Sequence, residues 1–199
     1  MHRSIATRTR ASQTLVIARD GMLHPVFSSI EEWLGDNTQE YYDVLGHTGQ
    51  GKWSPQRDTT KWVRFCIKAH YQQAAKLLRR NEQADKLYVS IMKLIEKEQS
   101  PDRTWIALFD SALGLKVTNI RYRTDADITD FTGSRDFKRL SESDLLVPHG
   151  EKRQRSYTAS KKILALRDAA RIQRSLEDPF ELVRRGSNLS AEEVRLPGF

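Results

Sequence analysis

Apolar positions along this chain recur mostly at three- and four-residue spacing, the period of a helix with one buried face. Residues 60–80 carry the clearest example. Trp62, Phe65, Cys66, Ala69 and Leu77 share one face while Val63, Ile67 and Ala74 line another, so the spacing predicts a helix central to a bundle. A following helix is predicted from Ala84, Leu87, Tyr88, Ile91, Leu94 and Ile95, ending at Ser100-Pro101. Upstream, residues 9–19 predict a short helix stopped at Asp20-Gly21. Ser28-Ser29 ahead of Glu31-Glu32 predict a second, stopped at Gly35, and Asn37 with Glu40 three residues later predicts a capped third. Residues 46–55 read as a polar, glycine-rich loop.

Past Pro101 the pattern changes. A helix with Trp105, Leu108, Phe109, Ala112 and Leu113 precedes a short second helix over 118–126 and a third over 129–140. Leu145-Leu146-Val147, the turn Pro148-His149-Gly150, a basic run 151–155 and Ser156-Tyr157-Thr158-Ala159 predict a hairpin. Three helices and a basic hairpin form the layout of a winged helix-turn-helix, which lays one helix in a DNA major groove and its wing on flanking phosphates. With Gly133, Phe137 and Leu140 turned inward, Thr132, Ser134, Arg135, Lys138 and Arg139 occupy the outer arc. Lys152, Arg153 and Arg155 fall on the wing, where phosphate neutralisation needs positive charge. The bland alternative for both sets is a solvated face or a protein contact.

The expected fold class is therefore mainly α, a helical bundle followed by a winged helix-turn-helix with a small β-hairpin. The expected organisation is a bundle over 1–100, the winged helix over 101–160, a basic helix over 161–176 and a disordered tail over 177–199.

Composition narrows the partners. Thirty-three Lys and Arg against 26 Asp and Glu give a formal net charge of +7, which favours an anionic partner, DNA ahead of an acidic membrane. The single cysteine, Cys66, excludes an intrachain disulfide and a cysteine-based zinc site, and fits a reducing cytoplasm. Leu15-Val16-Ile17-Ala18 is too short for a membrane span, so no membrane partner is expected. His2, His24, His47, His70 and His149 show no i,i+3 or i,i+4 pairing, so no metal site is expected, and His70 reads as a packed helix residue. Glu31-Glu32 are helix-start acids without a base or nucleophile, and Gly46, Gly49 and Gly51 follow no strand. No catalytic residue and no cofactor is expected.

Several segments carry a resemblance. Residues 13–21 (QTLVIARDG), His24-Pro25-Val26-Phe27 with the following residues to Leu34, and Asn37 to Leu45 resemble Fic proteins immediately after their catalytic loop. Residues 62–74 resemble the helix behind the Fic core. The winged helix, including Ser134-Arg135-Asp136, is similar to the C-terminal domain that many bacterial Fic proteins carry. The resemblance covers roughly residues 10–159. It implies a nucleotide-transfer loop H-x-F-x-[DE]-G-N-G-R-x-x-R, whose His deprotonates the target hydroxyl and whose Gly, Asn and Arg groups cradle phosphates beside a magnesium ion. Aligned back from Gln13, the G-N-G-R positions fall on Ser4, Ile5, Ala6 and Thr7, and only Arg10 matches the motif. His24 sits downstream of that loop and is not its histidine. The resemblance thus implies a truncated, non-enzymatic Fic relative with a DNA-binding module. Its alternatives are a protein-interaction module that pairs with a separately encoded Fic fragment, or a full AMP-transferase with a misplaced start. A homodimer through the helical bundle fits the first reading.

Overall fold

The computed structural model describes residues 29–51, 54–151, 154–173 and 175–186, with Leu15 and Arg19 as isolated positions. The helix expected over 9–19 lies outside the described residues apart from those two. In chain order the elements are α1 (Glu31–Asp36), α2 (Thr38–Gly49), α3 (Thr60–Lys97), a 3-10 turn (Asp102–Thr104), α4 (Trp105–Ala112), α5 (Asn119–Asp125), α6 (Asp130–Glu142), β1 (Leu146–His149), β2 (Ser156–Ala159), α7 (Lys161–Ala170) and α8 (Pro179–Gly186). The chain is mainly helical, with a two-stranded antiparallel sheet. It divides into two compact units, residues 1–78 with 174–199, and residues 79–173. The division falls inside α3 rather than at residue 100. Residues 80–84 contain neither Gly nor Pro, so nothing stops one helix from running through the two that the spacing suggests.

In the first unit, Ile30, Trp33, Leu34, Phe65 and Ala69 form the buried cluster. Trp33 meets Phe65 edge-on at 5.2 Å, and its indole N–H donates to Gln72 Oε1 at 2.7 Å. Lys76 Nζ lies 2.9 Å from Glu32 and 3.1 Å from Asp36, tying α1 to α3. Gly35 does not stop α1, which runs on to Asp36. Asn37 does not cap α2 with its side chain. Its Nδ2 donates instead to the Trp33 carbonyl at 2.8 Å, which also accepts from the Asn37 backbone N–H at 3.0 Å. Helix α2 also continues to Gly49, into the stretch expected to be loop.

The face of α3 bearing Phe65 and Ala69 is covered, while Val63, Ile67 and Leu78 stay exposed, so this stretch is not surrounded as expected. Helix α8 replaces part of the expected disordered tail. Asp178 Oδ1 accepts from Phe180 N at 2.8 Å and Pro179 opens the helix, so Asp-Pro here is a start signal. The Arg64 guanidinium lies 5.1 Å from the Phe180 ring centroid.

The second unit has the larger core. Leu87, Ile91 and Ile95 of α3 pack with Ala107, Leu108 and Ala112 of α4, Tyr122 of α5, and Phe137 and Leu140 of α6. Leu145, Leu146, Tyr157 and Ile163 complete it from the hairpin and α7. Strand β1 pairs with β2 with Leu146 opposite Ala159 and His149 opposite Ser156. Val117, between α4 and α5, exchanges both backbone bonds with Tyr157 at 3.2 and 2.8 Å, anchoring the hairpin to that connection. Helix α7 ends at Ala170, short of the expected 176, where Arg171 turns extended.

Four helices of this unit end alike. Gln99, Gly114, Asp127 and Asp144 take positive φ, and the next residue donates back to the carbonyl five positions earlier: Ser100 to Ile95, Leu115 to Asp110, Ile128 to Arg123 and Leu145 to Leu140. A glycine adopts this left-handed state without Cβ strain, but only one of the four is glycine. Gln99→Gly should raise stability by roughly 0.5–1 kcal/mol, seen as a higher urea midpoint at unchanged slope, while Gln99→Ala should give no gain.

Candidate nucleic-acid interface

Helix α6 is amphipathic by construction. Gly133, Asp136, Phe137 and Leu140 are buried, which leaves Ser134, Arg135, Lys138 and Arg139 exposed and Thr132 half-buried. Thr129 caps the helix, its Oγ1 accepting from Thr132 N at 3.3 Å. The Thr132 hydroxyl lies 3.0 Å from that of Thr129. Ser134 Oγ accepts from Asn119 Nδ2 at 2.9 Å. A Cβ at position 133 would fall 2.6 Å from Asn119 Oδ1, so glycine permits the close approach of α5 to α6.

The rotation of α6 is set from inside. Asp136 is 2% exposed and paired with Arg103, whose Nε and Nη2 donate to its two oxygens at 2.8 and 2.9 Å. The Tyr122 hydroxyl donates to Asp136 Oδ2 at 2.9 Å. Burial first, and then the Asp136 charge, push the Tyr122 phenol well above its usual range. The hydrogen bond to Asp136 is the main reason the Arg103 guanidinium is raised. Phe137 packs edge-on against Tyr122 at 5.1 Å and stacks flat on Tyr157 at 4.1 Å, joining α6 to β2.

On the outer arc, Arg135 and Arg139 hold no ion pair among the described residues, and Lys138 meets Glu142 only at 3.8 Å. Arg155 is exposed immediately before β2. Lys152 and Arg153 lie outside the described residues. The five α6 positions thus share one helix, and of the three cations expected on a wing the structure describes Arg155. Lys116, exposed beside the Val117 bridge, and Lys161, exposed at the start of α7, add positive charge. Two acids of these helices are engaged: Asp130 by Arg123 at 3.2 Å and by Asn119 Nδ2 at 3.2 Å, and Asp110 by Arg121 at 3.0 Å. Such a surface can neutralise phosphates and present guanidinium forks to base edges.

Elsewhere, burial raises the Cys66 thiol and lowers the His70 imidazole. Among the described residues no group of three or more His, Cys, Asp or Glu is placed to hold a metal ion, and no helix is long and apolar enough to cross a membrane.

Removing Arg103 strands a buried carboxylate, so Arg103→Ala should cost about 3 kcal/mol in urea unfolding, and Arg103→Met with Asp136→Leu should recover much of it. The raised Tyr122 phenol contributes stability that is fully present below the unfolded value of about 10 and lost as pH rises through its folded value. Stability should accordingly fall in melts above about pH 10, and Tyr122→Phe should blunt that alkaline loss. No known protein family, curated protein or solved structure matches the chain.

Proposed function

We propose that residues 79–173 form a winged helix-turn-helix that binds duplex DNA, with α6 in the major groove and the β1–β2 hairpin as the wing. One observation carries this reading. Asp136, Arg103 and the Phe137–Tyr157 stack fix the inner side of α6, so that Arg135, Lys138 and Arg139 lie together on its outer side. The four-residue connection between α5 and α6, with Asp127 in the left-handed region, fits the turn of such a pair. The Val117–Tyr157 bridge anchors the hairpin base, and Arg155 with Lys152 and Arg153 supplies the wing charge.

The role is regulatory rather than catalytic, in a protein related to Fic enzymes through the segments quoted above. Ser4, Ile5, Ala6 and Thr7 stand where that family's phosphate-cradling G-N-G-R residues belong, so nucleotide transfer is not part of the proposal. A second reading, a protein-interaction module, is favoured by Val63 and Ile67, each about half exposed, and Leu78, 61% exposed, on α3. These residues suit a homodimer contact or a separately encoded Fic fragment.

Titrating the full chain against mixed-sequence duplex DNA across a salt series tests the proposal. Micromolar or tighter binding that weakens steeply with salt is expected. Arg139→Ala and Arg155→Ala should each flatten the salt slope by about one, while Arg135→Ala should relax base preference at one position at a cost of about 1–3 kcal/mol. A folded chain that binds no duplex at low salt would transfer the function to protein contact.

A further inference from the structure

We infer that Phe131 is a base-reading residue that packs on a thymine methyl, about two base pairs from a guanine read by Arg135. The inference rests on the DNA proposal and adds the chemistry of its target. Phe131 is the second residue of α6 and is 77% exposed, the most exposed aromatic among the described residues. A phenyl ring held in water is costly, by about 1.5–3 kcal/mol relative to full burial. Interior packing does not account for it, because the buried cluster of this unit excludes Phe131 while containing Phe137, six residues on.

Its surroundings narrow the occupant. Phe131 lies at the N-terminal end of α6, the end of a groove-bound helix whose side chains meet base edges. Arg135 is one turn further along the same face and has no ion pair among the described residues. Asn119 Nδ2 reaches both Asp130 Oδ1 at 3.2 Å and Ser134 Oγ at 2.9 Å, which brings the start of α5 beside the start of α6. Ile120, next to Asn119 in the chain, is also 66% exposed. The acid at this end, Asp130, is offset by Arg123.

The apolar group on the major-groove edge of a base pair is the thymine C5 methyl. The spacing follows from two rises. Four residues advance about 6 Å along a helix, and successive base pairs stand about 3.4 Å apart, so Phe131 and Arg135 address positions about two steps apart. A protein partner fits less well, because the same arc continues into Lys138, and lysine is depleted at the centres of protein interfaces.

The test selects binding sites with the full chain from a randomised duplex library, then remakes the selected duplex with deoxyuridine at each thymidine in turn. The wild-type chain should select a thymine about two base pairs from a guanine. Loss of that one methyl should weaken binding about four-fold, the value of one buried carbon group. Phe131→Ala should bind the thymine and uracil duplexes equally, while Phe131→Leu should keep part of the difference. Arg135→Ala should lose the guanine preference and keep the thymine one. Duplex binding with no thymine preference, or a thymine preference that survives in Phe131→Ala, overturns the role of Phe131 and leaves the DNA reading standing. A folded wild-type chain that binds no library duplex overturns both.

Discussion

Asp136 sets the terms for the second unit. A carboxyl group with 2% exposure is tolerable only because two Arg103 donors and the Tyr122 hydroxyl converge on it. Those donors come from the 3-10 turn and from α5, so one carboxylate holds α6 at a single rotation against both. A turn of about 100°, one residue of helix, would bring Arg135 inside and expel Asp136. The stack of Phe137 on Tyr157 opposes the same slip through the hairpin. The outer arc of cations is therefore a consequence of the inner arc and its partners.

This ordering also explains how far the sequence could be read. Helices α4 and α6 and strand β2 lie close to where periodicity puts them, because each buries one clear face. The inward position of Asp136 was available from spacing, since 133, 136, 137 and 140 share an arc. Its importance was not, because Arg103 stands 33 residues away and no local pattern joins them. Non-glycine stops at Gln99, Asp127 and Asp144 were invisible for a related reason. Their left-handed geometry is imposed by where the next residue must pack, and their side chains do not announce it. Helix α8 was illegible for another reason: a polar, Gly- and Pro-punctuated stretch reads as disordered, yet Pro179 behind Asp178 opens a helix there.

Among the expected DNA-contacting residues, exposure and pairing separate roles that the sequence left equal. Arg135 and Arg139 are free of ion pairs among the described residues, whereas Thr132 and Ser134 already share their hydroxyls with Thr129 and Asn119. In the proposed interface, the arginines carry charge and recognition while the two hydroxyls serve the junction of α5 with α6.

The two buried clusters share one helix, α3, yet their aromatic content differs. Trp33 and Trp62 belong to the first unit, where they pack on Phe65. In residues 79–173 the only tryptophan is Trp105, set edge-on to Tyr88 at 5.3 Å and to Phe109 at 6.1 Å. Tryptophan fluorescence from this protein is thus a sum of Trp33, Trp53 and Trp62 from residues 1–78 and Trp105 from residues 79–173. A Trp105-free chain reports the first unit alone, and a chain keeping only Trp105 reports the unit that carries α6. Whether the halves of α3 melt together becomes an optical question, and a single melting temperature need not describe the chain.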